Sequence, residues 1–143
     1  MTLTLKVKRL TETAKLPTYA HDCDACFDLY ADEDAVVQSG KTVKISTGNA
    51  YDIQRGYCVK VYGRSGMGHK HGVIAVCGGI IDSSYKGEVF VSMTRVIKGA
   101  YVVKKGDRIA QAMLIPVPVV TFEEVDSLSE SDRGVGGFGS SGK

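Results

Sequence analysis

Apolar residues in this chain recur at every second position over short runs, and most of the runs are bounded by glycine or proline. Leu3, Leu5 and Val7 alternate with Thr4, Lys6 and Lys8, and Val43 and Ile45 flank Lys44. "YCVKVYG" and "EVFVSM" add short stretches rich in β-branched and aromatic residues. A period of two places one set of side chains on a buried face and cannot build an apolar helical stripe. "DRIAQAMLIPVPVV" is longer and more uniformly apolar, yet Pro116 and Pro118 oppose a helix there. "QSGK", "QRGY" and "KKGD" supply turns, and only "TFEEVDSLSES" is left to hold a short helix. The pattern predicts an all-β sandwich or barrel in one domain over residues 1–128, with a flexible glycine-rich end at 129–143.

The 143 residues are enough for one real core. Eighteen Lys and Arg against sixteen Asp and Glu leave a net charge of +2, too weak to imply long nucleic acid or an anionic membrane as partner. No apolar run approaches the roughly 18 residues of a membrane span, and "MTLTLKVKRL" is no signal peptide, so an intracellular compartment is expected: the cytoplasm, or the cytoplasm or nucleus of a host cell if the source is a virus. Cys23, Cys26, Cys58 and Cys77 fit a reducing compartment better than a disulfide framework. Cys23 and Cys26 form a C-x-x-C, and His69 and His71 are the only partners for a zinc ion. Their spacing is not that of a zinc finger, so small half-buried thiols are expected instead.

Three other motifs fail on context. "GVGGFG" matches G-x-G-x-x-G but has no strand before it and no room for a helix after it. The terminal "GK" lacks the Ser or Thr and the helix of a phosphate loop. "HDCDACFDLYADED" has Phe27 where a calcium loop beginning at Asp22 needs glycine.

Four constellations survive. "YGRSGMGHKHG" sets Arg64 and Ser65 among glycines at a strand end, which suits either a phosphate cradle or a polar turn. "CGGIIDSSYKGEV" places Asp82 after a short apolar run, with Gly78 and Gly79 before it. Paired glycines permit a tight hairpin, and an aspartate at its exit serves as a general base or as a turn residue. "ACFDLYA" sets Asp28 between Phe27 and Leu29, to hydrogen-bond backbone or to stand near a metal or nucleotide. Gln111, inside the apolar "RIAQAMLIPV", either caps a neighbouring strand or reaches a ligand.

In this order, and followed by "RGVGGFGSSG", these stretches resemble the five motifs of the trimeric dUTPase family. The likeness runs from about Leu16 to Gly142 and implies a distorted jelly-roll barrel, homotrimeric, with a mobile C-terminal arm. It implies hydrolysis of dUTP to dUMP and pyrophosphate by water attack on the α-phosphorus, assisted by Mg²⁺. That reaction limits uracil in DNA and supplies dUMP for thymidylate synthesis.

By resemblance, Asp82 orients and deprotonates the water, and the Tyr85 ring packs beneath the sugar and refuses a 2′-hydroxyl. Backbone from Gly78 to Ile81, including Gly79 and Ile80, reads uracil. Arg64, Ser65, Gly66 and Gln111 fall where phosphates are held, and Asp28 where the magnesium hydration shell is ordered through water. The C-terminal arm is a lid: Phe138 stacks on the base, Arg133 clamps the γ-phosphate, and Gly139, Ser140 and Ser141 wrap the triphosphate. The resemblance also implies sites shared between subunits.

Cys26 stands where the family usually has glycine, Gly63 where it usually has proline, and Ser84 where a second acidic residue is common. A dCTP deaminase shares the architecture but needs a catalytic glutamate in place of "IIDSSYKG" and a different tail. A non-catalytic nucleotide-sensing module is the alternative from another class, and intact Asp82, Arg133 and Phe138 argue against it.

Overall fold

The structure, a computed structural model, describes residues 3–76 and 78–137. Its elements run β1 (Lys6–Arg9), β2 (Phe27–Tyr30), β3 (Ala35–Gln38), β4 (Val43–Asp52), β5 (Tyr57–Tyr62), α1 (Ser65–His71), β6 (Val73–Ala75), β7 (Ile80–Ile81), β8 (Glu88–Arg95), β9 (Ala100–Val103) and β10 (Arg108–Pro116). One four-stranded sheet has the order β1-β4-β8-β6, a second the order β2-β10-β5-β7, and β3 pairs with β9 in a two-stranded ribbon. All these pairings are antiparallel. The all-β, jelly-roll expectation holds.

The alternation seen in the sequence is what fills the space between the sheets. In β8, Val89, Val91 and Met93 are buried while Phe90, Ser92 and Thr94 turn away from the core. Ile45 and Val37 meet them, and Val59 and Ile109 enter from the second sheet. Each such side chain, fully buried, contributes about 1.5–3 kcal/mol of transfer free energy.

The helix that "TFEEVDSLSES" could have held does not form: residues 121–131 carry no helix or strand, and among the described residues regular structure ends at Pro116. Among the described residues that stretch is exposed throughout and buries no apolar face, and a short helix without such packing is marginal. The helix forms instead in "SGMGHKH", where the glycines suggested a turn. Met67, buried at 6% exposure, pins it to the core. Gly72, at φ 61° in the left-handed region, closes it and donates to the Gly68 and Met67 carbonyls.

Gly78 and Gly79 do not close a two-stranded hairpin either. β6 belongs to the first sheet and β7 to the second, so the glycines lie on a crossover between them. Gly79 sits at φ 65°, and a Cβ there would lie 2.6 Å from the Val61 carbonyl oxygen. Only glycine lets this backbone press so closely on β5, where the Val61 N–H donates to the Gly79 carbonyl at 2.7 Å.

Candidate active site

Asp28, Arg64, Ser65, Gly66 and Gln111 come together. They line one polar pocket of about 290 Å³, with Cys26 and Asp24 on its rim. Three elements bring them there. Asp28 lies on β2 directly opposite Gln111 on β10, so both side chains share one face of the sheet. Gln111 also faces Tyr62 at the end of β5, which delivers the chain to Arg64 and α1.

Asp28 is only 7% exposed, yet it is not stranded. The Arg64 Nε lies 3.1 Å from its Oδ1 and the Arg108 Nη1 3.2 Å from its Oδ2. Its own N–H donates to the Thr18 carbonyl at 2.7 Å. The two guanidiniums offset the desolvation of a carboxylate held this deep. Gln111 resolves its two sequence readings in part: its amide donates to the Gly63 carbonyl at 3.0 Å, bracing the turn before Arg64, while the residue still lines the pocket. Ser65 and Gly66 open α1, and N–H groups in a first helical turn have no intrahelical acceptor. Burial, with Asp24 and Asp28 nearby, pushes the Cys26 thiol up in pKa, so this residue adds no charge to the pocket at neutral pH. The arrangement leaves N–H groups of Arg64, the Ser65 hydroxyl and the first-turn backbone N–H groups able to donate to an anion with several oxygens.

Gly79, Ile80 and Ile81 line a second cleft, of about 540 Å³, walled by Lys60, Tyr62, Val76 and Phe90. Gly63 lies on its edge, one residue before Arg64, so the two spaces adjoin along the chain. A flat ring in the glycine crossover and a polyanion at Arg64 are the occupants these walls suit.

Asp82 and Tyr85 line neither space in the single chain. Asp82 is exposed just beyond β7, its carbonyl accepting from the Tyr85 N–H at 3.1 Å. The Tyr85 hydroxyl donates to the Glu88 carbonyl at 2.9 Å and its ring lies against Gly87. Arg133 donates through Nε to the Gly136 carbonyl at 2.8 Å in an exposed turn. Phe138, Gly139, Ser140 and Ser141 lie outside the described residues. Among the described residues no cluster of three His, Cys, Asp or Glu is placed to hold a metal, and Cys23, Cys26 and Cys58 are free thiols.

Arg108 escaped the sequence reading. In a regular strand, residues 108 and 111 point to opposite faces. The register of β10 against β2 slips between Arg108 and Ala110, opposite Tyr30 and Leu29, and this bulge returns Arg108 to the face of Asp28 and Gln111. Nothing in the residue types marks the extra residue.

A jelly-roll sheet pair with the Arg64–Ser65 pocket beside a glycine-walled cleft suits the class of proteins that handle nucleotides. The chain matches the dUTPase family over residues 12–142 and belongs to it. It is 42% identical to the deoxyuridine 5'-triphosphate nucleotidohydrolase of Nautilia profundicola over 140 residues, covering 97% of this chain and 99% of that protein. With the enzyme of the same name from Clostridium tetani it shares 43% over 141 residues, covering 98% and 97%. The dUTPase of Staphylococcus bacteriophage 80alpha with dUpNHpp superposes with a TM-score of 0.93 at 29% identity, covering 99% of this chain and 100% of that one. The chain is thus an enzyme, and its activity is the hydrolysis of dUTP.

Proposed function

We propose that this chain cleaves dUTP to dUMP and pyrophosphate by Asp82-assisted attack of water on the α-phosphorus, with Mg²⁺ bound to the triphosphate. The convergence of Arg64, Ser65, Gly66 and Gln111 on one polar pocket, next to the glycine crossover, carries the reading. Uracil in the crossover meets backbone donors and acceptors near Gly79 to Ile81. Cytosine exchanges an acceptor for a donor and leaves such groups unpaired, a loss of about 10⁴-fold where a site is built around the bond. The triphosphate lies along Arg64, Ser65 and Gly66, which hold charge and fix the α-phosphorus.

Asp82 takes the proton of the attacking water as the bond to phosphorus forms, and the bond to the pyrophosphate oxygen breaks. Its exposure in the single chain supports a site completed by further subunits. So does the arm beyond Pro116, which holds Phe122 at 96% and Leu128 at 87% exposure. On the same chain an apolar groove of about 800 Å³, lined by Leu3, Leu5, Leu16, Phe27 and Leu114, lies open. Both surfaces suit a homotrimer in which residues 129–143 serve as the lid, Arg133 meets the γ-phosphate and Phe138 covers the base, with Gly139, Ser140 and Ser141 along the phosphates.

The residues fit magnesium only through water. Asp28, on the pocket wall, has each oxygen already paired with a guanidinium, so it would hold the ion's hydration shell rather than the ion. When bound, the ion would neutralise phosphate charge. No helix among the described residues is long and apolar enough to cross a membrane, in keeping with work on a soluble nucleotide in the cytoplasm.

Pyrophosphate release from dUTP, dCTP, dTTP and UTP tests the reading. Rapid release from dUTP alone is expected. Deamination of dCTP, or binding of dUTP without turnover, would overturn it.

A further inference from the structure

We propose that Arg108 is a positioning residue for the phosphate clamp, acting on Arg64 through the carboxylate they share at Asp28. This deepens the reading above and rests on the Asp28 pocket taking the triphosphate.

Arg108 does not line that pocket, whereas Arg64 does. Arg108 and Arg64 instead stand together on the wall of a neighbouring space of about 320 Å³, with Lys70 and His71. Arg64 is fixed at two points: Nε lies 3.1 Å from the Asp28 Oδ1, and Nη1 donates to the Arg108 carbonyl at 3.2 Å. A guanidinium has five N–H donors, so three remain for an anion.

That arithmetic depends on what occupies the other carboxylate oxygen. A carboxylate with both oxygens free grips a guanidinium side-on with two parallel hydrogen bonds. Asp28 would then draw a second nitrogen of Arg64 away from the ligand. Arg108 prevents this by taking Oδ2, at 3.2 Å through Nη1, and limits Arg64 to its Nε contact. The bulge in β10 has this consequence: it turns Arg108 onto the Asp28 face without moving Gln111 off it.

Calorimetric titration of the full chain with dUpNHpp, with EDTA and again with Mg²⁺, tests the idea on wild type, Arg64→Gln, Arg108→Gln, Arg108→Lys and the double variant Arg64→Gln/Arg108→Gln. Arg108→Gln should weaken binding about tenfold in EDTA, the effect of one charge-assisted hydrogen bond. The same change in the Arg64→Gln background should cost under about twofold, because the residue it acts through is gone. Arg108→Lys should recover part of the loss, and thermal melts confirm that each variant is folded. Equal losses in both backgrounds would show that Arg108 acts by its charge alone and overturn the proposal, as would Arg108→Gln or Arg108→Lys binding like wild type. Arg64→Gln binding like wild type would overturn the reading of the pocket itself. Should Arg108→Gln not fold, the same comparison is made with Arg108→Lys in the two Arg64 backgrounds: a loss confined to native Arg64 supports positioning, and an equal loss in both overturns it.

Discussion

The two halves of the site are held in different ways. Around Asp28 the chain braces itself: two guanidiniums meet one buried carboxylate, and the Gln111 amide ties the turn before Arg64 to β10. Around Asp82 there is little bracing. β7 has two residues paired to β5, and the aspartate just beyond it is exposed. The half proposed to meet fixed negative charge is prepared in advance by one chain. The half proposed to activate water is left open, to be completed, in that proposal, by substrate and the C-terminal segment. Holding a polyanion needs donors already aimed, whereas activating water is safest when the reaction is sealed only at the moment of use.

The harshest test of this contrast removes the proposed lid. A chain ending before Arg133 should keep its fold, since the core lies between Leu5 and Leu114. Its kcat/KM for dUTP should fall by about 10³–10⁵, the range for a supplied arginine in phosphoryl transfer. Full activity with an unchanged melting temperature would place the whole site in the body of the chain.

Asp82→Asn comes next. Turnover should fall about 10²–10⁴-fold, as expected for loss of a general base. Affinity for dUpNHpp should stay near wild type, because the braced half is untouched. Stability should stay near wild type too, since the Asp82 side chain makes no hydrogen bond among the described residues. Single-turnover rates and calorimetry separate the two effects. Near-normal turnover would erase the distinction between the halves.

The fold was legible wherever residue type sets periodicity. The buried stripe Val89, Val91, Met93 can be read straight off "EVFVSM". The resemblance, rather than residue type alone, leads to the expectation that Arg64, Ser65 and Gln111 belong together, and the structure brings them to one pocket. Less legible was anything decided by where the backbone breaks its own rhythm. The β10 bulge, which recruits Arg108, and α1, formed in spite of two glycines, depend on packing that appears only in three dimensions. The stretch over 121–131 erred the other way: its residues tolerate a helix, but no described surface packs against it.

Asp32 offers the mildest test and a control for the role of bracing. Like Asp28 it is a buried carboxylate, 8% exposed, but it lines neither space of the site. Burial pushes its pKa up, yet hydrogen bonds from the Thr11 and Thr13 hydroxyls and from Lys105, together with the Lys105 charge, outweigh burial and hold it below the ordinary 3.8. A carboxyl depressed in the folded state adds stability that is present above its ordinary value and lost as pH falls through the lower, folded one. Asp32→Asn should therefore cost about 1 kcal/mol at pH 7, a small figure because Lys105 is partly solvated. The gap between variant and wild type should begin to close as the solution is acidified below about pH 4, where the carboxylate of the unfolded chain takes up its proton first, and should close fully only below the lower value of the folded chain. kcat and KM for dUTP at neutral pH should not move. Denaturant midpoints across pH, read beside the kinetics, decide it: a gap that persists in strong acid would assign the stability of this corner to packing of the Thr11–Ala14 turn, and a fall in kcat would mean that bracing distant from the pocket reaches the chemistry after all.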